Sequence, residues 1–184
     1  KGNNEWSFGT DHTGTWPIIS DILTDVALKI RYVEFAEQRD PFFFKIGNLD
    51  NLTLGHGILM YNYANDHDFP AIRRIGFNLG LDLNAFGFES IVNDLAYPQI
   101  MGGRLYFRPA PKAFPMAIGL SSILDIKPSE SLPVDEETGE QNLYGDPLFL
   151  NPAFDIDLPF IETDPFSMVL FADVAGVIPY SRES

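Results

Sequence analysis

The sequence contains no cysteine among its 184 residues. This absence excludes disulfide bonds, thiolate nucleophiles and cysteine-ligated zinc. Basic residues are also scarce, since 12 Lys and Arg stand against 26 Asp and Glu, and the formal net charge is −14. Because nucleic-acid binding requires Lys and Arg to neutralise phosphates, the composition predicts no nucleic-acid partner.

Long hydrophobic runs are missing as well. No stretch of about 18 apolar residues occurs, so no transmembrane helix is expected. Residues 1–4 are polar, position 1 is not Met and no apolar stretch follows, so we expect a mature or excised piece without a signal peptide. Hydrophobic residues nevertheless make up 45% of the chain, which predicts one folded domain over residues 1–184.

Residues 75–94 carry the clearest pattern in the sequence. Their first half places Ile, Phe and Leu at every second position, with Gly, Asn and Asp between them. A period of two predicts a β strand, because successive side chains of a strand point to opposite faces. The second half alternates less regularly, and the short connection at residues 84–85 predicts a β-hairpin.

Similar alternation predicts strands at residues 25–36, 42–47, 53–63, 101–108, 116–126, 154–160 and 166–178. With the hairpin these make nine strands, or ten with a weak pattern near the N-terminus. Residues 127–152 are expected to form a long acidic loop. The only helical candidate, residues 16–27, is disfavoured. The predicted fold is an all-β, antiparallel up-and-down meander that forms a membrane β-barrel or part of one.

The predicted connectors alternate in length. Short ones fall at residues 48–51, 84–85, 109–113 and 163–165, and longer ones at 64–73, 95–100 and 127–152. Alternate connectors of a meander lie at the same end, so one end of the sheet should carry tight turns and the other long loops. This asymmetry is typical of outer-membrane barrels. Phenylalanines flank the tight turns, as expected of an interfacial aromatic girdle.

Alternation alone does not say whether the apolar face meets lipid or a protein core. A soluble barrel or sandwich would expose the polar face, and soluble surfaces favour Lys, Glu and Arg. Here that face is rich in glycine and carries sparse charges of both signs. The composition favours a membrane barrel, with a soluble all-β domain as the alternative. The exposure of Leu79 compared with Asp82 should distinguish them.

A resemblance supports the membrane interpretation. Residues 42–66, FFFKIGNLDNLTLGHGILMYNYAND, followed by DFPAIRRIGFNLGLD, resemble uncharacterised outer-membrane β-barrel proteins of diderm bacteria, of the spirochaete type. The resemblance covers roughly residues 42–126 and implies a barrel in the bacterial outer membrane rather than a reaction. The chain end lacks the terminal aromatic residue common in such proteins, so we expect part of a larger barrel.

No motif indicates catalysis. His56, between Gly55 and Gly57, is interpreted as a strand residue rather than a metal ligand. Asp155 and Asp157 share one face of a strand but lack a third partner for acid–base chemistry. No G-x-S-x-G element is present. The sequence therefore predicts no enzyme, no metal site and no cofactor.

A distributed set of charged residues falls on the non-apolar face and is predicted to line the barrel lumen. Its members are Lys29, Arg31, Lys45, Asp82, Glu89, Arg104, Arg108, Asp125, Asp155 and Asp157. Asp173, on the last predicted strand, falls on the same face. The predicted function is a porin-like passive channel in contact with membrane lipid and small solutes. The alternatives are a non-conducting structural or surface-adhesion barrel and a soluble all-β binding domain. The solute, the openness of the lumen, the parent strand number and the oligomeric state are left open.

Overall fold

The computed structural model describes residues 15–16, 18–19, 30–38, 40–66, 74–112, 114, 116–128, 147–163 and 165–180. Within these ranges helical backbone is limited to residues 15–16 and 18–19 and a 3₁₀ residue at Pro128, and the rest is strand or connection. None of the described helical backbone is long and apolar enough to span a membrane. The all-β prediction is confirmed.

Nine strands form one antiparallel sheet. Their bounds are β1 Tyr32–Phe35, β2 Phe42–Gly47, β3 Gly76–Asp82, β4 Phe86–Val92, β5 Ile100–Phe107, β6 Ala117–Asp125, β7 Leu148–Thr163, β8 Phe166–Ala175 and β9 Ile178–Tyr180. Strands β1 to β8 pair in sequence order, and β9 pairs with the beginning of β7. The meander is confirmed, but the sheet is not closed: among the described residues no strand pairs with the outer edge of β1 or β8.

The strand registers confirm the predicted division into two faces. One row of paired residues runs through Leu81, Phe88, Leu105, Leu120 and Phe154. Because paired residues share a face and alternate residues of a strand do too, this row defines an apolar face. The same face carries the other predicted members, which are Phe77, Leu79, Ile118 and Leu158.

The next row defines the opposite, polar face. It runs through Gly80, Glu89, Arg104, Ser121 and Ala153. By the same alternation the polar face also carries the remaining charged and amide positions, which are Asn78, Asp82, Asp125, Asp155 and Asp157. No strand register has slipped between β2 and β7, since a slip of one residue would have mixed the two sets.

The two faces differ in exposure in the reverse of the usual sense. Leu105 and Leu120 on the apolar face are 60% and 61% exposed, whereas Arg104 and Asp155 on the polar face are 7% and 3% exposed. Leu79, which was chosen to decide this point against Asp82, does not decide it, because both are half-buried. The contrast is clear on β5, β6 and β7, where Leu105, Leu120 and Phe154 are exposed and Arg104, Ser121 and Asp155 are buried. Elsewhere members of both faces are half-buried, among them Leu81, Ile118, Glu89 and Asp157.

The predicted strand at residues 53–63 is wrong. Residues 48–66, here called the cap segment, leave the sheet after β2 and fold over its polar face. Gly55 and Gly57 have φ angles of 58° and 95°, a left-handed backbone that interrupts any strand. Apolar and polar side chains alternate in this stretch because the apolar ones pack onto the sheet. Together with two sheet residues they form a buried cluster of Leu49, Leu52, Leu54, Met60, Ile91 and Ile123.

This correction merges two predicted connectors and a predicted strand, and the observed bounds preserve the predicted length asymmetry only in part. Because β2 pairs directly with β3, residues 48–75 form a single long connection rather than a short turn, a strand and a loop. It lies at the same end as the connections after β4 and β6. The opposite end carries the connections after β1, β3, β5 and β7, of which the one after β5, between Phe107 and Ala117, is longer than the one after β4, between Val92 and Ile100.

Two predicted boundaries and one predicted face assignment also differ. Strand β7 begins at Leu148, inside the predicted loop at residues 127–152, because Leu150 pairs with Leu124 of β6. The predicted last strand divides into β8 and β9. In β1 the phase of the first predicted strand was wrong for Tyr32, which pairs with Gly47 and shares the face of Lys45 rather than the apolar face.

Candidate functional site

The glycines of the polar face leave room for larger side chains to lie flat on the sheet. A Cβ atom added at any of them would clash with a neighbouring residue. The pairs are Gly76 with Leu49 and Asn65, Gly80 with Phe43, Gly87 with Tyr106, and Gly119 with Asp155. Aromatic, charged and cap-segment side chains thus pack flat against the glycine-rich face.

Buried hydrogen bonds hold the cap segment in place. The cap segment consists of a tip, residues 55–57, and two arms, residues 48–54 and 58–66. The arms are joined by the backbone pair Leu52 and Tyr63, at N···O distances of 3.0 and 2.8 Å. Asn65, which is 2% exposed, accepts a hydrogen bond from the backbone N–H of Leu49 at 2.8 Å. Its side-chain amide donates to the carbonyl of Asn93 at 2.9 Å, at the end of β4. The arms of the cap segment are therefore fixed to the sheet.

Arg104 of β5 is the centre of a buried ion-pair network. Its Nε donates to Asp155 Oδ2 at 3.1 Å, and its Nη2 donates to the other oxygen of the same carboxylate. Glu89 and Asp157 each lie 3.5 Å from a terminal nitrogen of the guanidinium. Gly55 of the cap segment approaches so closely that a Cβ there would lie 3.0 Å from Arg104 Cδ and Nε. The network thus joins β4, β5, β7 and the cap segment.

His56, at the tip of the cap segment, completes this network. Its Nδ1 lies 2.7 Å from Asp173 Oδ1 on β8, and its Nε2 hydrogen-bonds Asp157 on β7. Its ring centroid is 4.7 Å from that of Phe171. The interpretation of His56 as a strand residue is wrong, and the residue instead ties the cap segment to two strands.

The protonation of His56 follows from these partners. Carboxylates only accept hydrogen bonds, so both ring nitrogens must donate, which requires the imidazolium form. Burial acts to lower the pKa of His56, but the hydrogen bonds to Asp173 and Asp157 outweigh it and raise the pKa above its usual value. Below this raised pKa the tip therefore carries a positive charge among carboxylates.

His56, Asp155 and Asp173 bring their ligand atoms within 4.8 Å of one another, a spacing compatible with a metal ion. The charge pattern argues against that use. Both ring nitrogens of His56 already hydrogen-bond carboxylates, and the Asp155 carboxylate is already held by Arg104. We therefore interpret the cluster as an ion-pair network rather than a metal centre.

A second charged pair lies one row nearer the turn end. Arg108 donates from Nη1 and Nη2 to the two oxygens of Asp82, at 2.8 and 3.0 Å. The ring of Tyr106 lies between the two arginines, with the guanidinium carbons of Arg104 and Arg108 at 4.8 and 4.9 Å from its centroid. This sandwich connects the second pair to the Arg104 network.

The other predicted lumen residues lie apart from these two groups. Lys45 pairs with Asp50 of the cap segment and, at 3.5 Å, with Glu34 of β1. Asp125 accepts from the backbone N–H of Lys127 at 3.2 Å, at the loop end of β6. Two further positions were also predicted to line the lumen. Arg31 has a side chain that is 70% exposed, and Lys29 lies outside the described residues.

A cavity of about 380 Å³ lies between the cap segment and the polar face. Its lining extends from Gln38 and Asp40, in the turn after β1, to Val169 and Phe171 on β8. Residues from both ends of the strand order thus border one space, so the sheet curls around it. The cavity is flanked by the charged network described above.

Comparisons with protein families, with curated proteins and with solved structures gave no match. The site is therefore interpreted from its own geometry. Every buried side-chain nitrogen and oxygen in the described part of the chain has a hydrogen-bond partner. The polar face is a satisfied network whose charges can border an aqueous space. The sequence prediction missed the cap segment that covers this face, and with it the contacts of His56 and Asp50.

Proposed function

We propose that this chain forms wall strands of an outer-membrane β-barrel, a porin-like passive channel for small solutes. The observation that carries the proposal is the inverted sheet, with Leu105 and Leu120 about three-fifths exposed and Arg104 and Asp155 buried. In water, this arrangement would leave a broad apolar patch in contact with solvent. In lipid it is favourable, because hydrocarbon accepts leucine and strongly disfavours charge.

The aromatic residues at the turn end support the same proposal. Phe86, Phe107, Phe114 and Phe166 are each 48–56% exposed and lie in or beside the shorter connections. Membrane barrels carry such aromatic girdles at the level of the lipid head groups. The two longest connections, after β2 and β6, lie at the other end, and membrane barrels carry their longer loops on the outer side.

The charges of the polar face predict the ion preference of the channel. The basic groups are Lys45, Arg104 and Arg108 with the His56 imidazolium, and they are outnumbered by the carboxylates of Glu34, Asp82, Glu89, Asp125, Asp155, Asp157 and Asp173. An excess of fixed negative charge attracts cations. We expect the reversal potential in a KCl gradient to indicate cation preference. Glu89→Gln should weaken that preference, whereas Glu37→Gln, in the exposed turn after β1, should leave it unchanged.

The direct test is reconstitution of the purified protein that contains these strands, because an open sheet alone does not enclose a pore. We expect the protein to require detergent for solubility and to produce discrete current steps when added to a planar lipid bilayer. A monodisperse protein that stays in solution without detergent would contradict the membrane location. Membrane insertion without any current would contradict the channel.

The cap segment favours a second candidate, a non-conducting structural barrel, because it packs a buried apolar cluster and paired charges onto the polar face. Replacing residues 53–62 by a short Gly-Ser linker distinguishes the two, since Leu52 and Tyr63 are already paired and can be joined. Currents from the unmodified chain identify the channel. Currents that arise only after shortening identify the closed barrel.

A further inference from the structure

The tip of the cap segment differs from its arms in how it is held. The arms are fixed by the apolar cluster around Leu52 and Leu54 and by Asn65. The tip, residues 55–57, borders the cavity and places His56 against the carboxylates of β7 and β8. Both residues beside the histidine are glycines with positive φ angles. A charged side chain on a glycine hinge therefore lies between anchored arms.

We propose that His56 is a pH-operated latch: its charged ring ties the cap tip to β7 and β8, and loss of the ring proton releases the tip and widens the cavity. The inference rests on the proposed channel function for its consequence, which is a change in solute passage. The latch itself is defined by the contacts of His56 with Asp157 and Asp173 alone.

The charged groups around His56 explain why release would follow deprotonation. β7 contributes Asp155 and Asp157, β8 contributes Asp173, β5 contributes Arg104, and β4 contributes Glu89 through Arg104. With a neutral histidine, these four carboxylates face a single guanidinium, and one ring nitrogen can no longer donate. The carboxylates on either side of the His56 ring then repel one another.

The charged residues of the cap segment itself do not substitute for the latch. Asp50 pairs with Lys45, and Asp66 accepts from Asn48 and Arg31 at 3.1 and 3.4 Å. Both pairs hold the arms near β1 and β2. The connection between the cap tip and the strands β7 and β8 therefore runs through His56.

The direction of the pH dependence follows from the pKa of His56, which is raised in the latched state. A raised pKa means that the latch is fully present below the usual histidine value of about 6.5 and is lost as pH rises through the raised value. In that window the latched fraction relative to the released one falls by up to tenfold per pH unit. The tip is thus held at acidic pH and freed at alkaline pH.

Hydrogen exchange of the full chain in detergent or lipid tests the latch directly. Exchange of the backbone amides in residues 53–61 is measured by mass spectrometry from pH 5 to pH 9. The measurement compares the unmodified chain with His56→Arg and His56→Gln at each pH, so that the intrinsic pH dependence of exchange cancels. The amide of Gly57, which donates to the carbonyl of Leu54 at 3.0 Å, is the best single reporter.

We expect the unmodified chain to match His56→Arg at low pH and to approach His56→Gln at high pH, with protection falling up to tenfold per unit between them. Protection that follows His56→Gln at every pH would overturn the latch, as would protection that never changes relative to either variant. If the arginine variant fails to fold, the comparison with His56→Gln alone still decides, because only a titrating latch makes their ratio depend on pH.

Conductance gives the second readout and separates two failures. A pH-dependent open probability in the unmodified chain, absent in His56→Gln, supports the latch as a gate. Current that does not vary with pH, together with pH-independent exchange, overturns the latch and leaves the channel standing. Absence of current at every pH overturns the channel, while the exchange experiment still judges the latch.

Discussion

Replacing Leu120 by arginine is expected to lower the free energy of unfolding from lipid vesicles by about 2–4 kcal/mol, if the site lies near the bilayer midplane. Leu120 is 61% exposed and sits in the apolar row between Leu105 and Phe154. A guanidinium there would be placed in hydrocarbon, where charge is strongly disfavoured. Equilibrium urea titration of the vesicle-folded protein, followed by far-UV circular dichroism of the strands, measures the change.

Tyr61→Arg is the matched control. Tyr61 is an apolar residue that is 77% exposed, but it lies in the cap segment rather than on the apolar face. Its replacement should change stability by no more than about 0.5 kcal/mol, as for most surface positions. Equal effects of the two arginines would mean that the apolar face does not meet lipid, because in water two exposed positions would respond alike.

Arg104→Met is expected to lower the free energy of unfolding by about 3–5 kcal/mol. The substitution keeps most of the side-chain volume but leaves Asp155, which is 3% exposed, without the guanidinium that binds both its oxygens. An unpaired buried carboxylate is strongly unfavourable. Chemical denaturation in detergent micelles measures the loss, and adding Asp155→Asn should restore part of it.

Arg31→Met provides the reference for this second prediction. Its side chain is 70% exposed and lies 3.4 Å from Asp66, so the pair is screened by water and should contribute about 0–1 kcal/mol. A loss at Arg104 no larger than the loss at Arg31 would show that the buried network does not support the fold.

The strands that alternate strictly could be predicted from the sequence because period two is a local signal. Residues 76–82 needed no knowledge of their partners, and the two faces of β3, β5 and β6 follow from counting. Most of the predicted lumen residues fall on the polar face for the same reason. Alternation could not show what contacts the apolar face, because the pattern is the same whether lipid or a protein core covers it.

The errors arise where distant contacts decide the structure. Residues 53–63 alternate like a strand, yet their leucines are buried because they pack on Ile91 and Ile123, which lie far along the chain. The partners of His56 are 101 and 117 residues away. Pro152 disguised the beginning of β7, because proline lacks the N–H that a strand ladder uses. The paired glycines around His56 were the one local sign of a special conformation.

The outer edge of β8 has a consequence for handling the protein. Over ten residues, alternate N–H and C=O groups point away from the sheet, and only Asp173 among those residues is charged. Natural sheets protect such edges with charges, proline or short strands. A long apolar edge is a template for strand addition, so the isolated chain in water is expected to grow into thioflavin-positive fibrils. In a bilayer the same edge requires a neighbouring strand, because hydrocarbon offers its backbone groups no other partner.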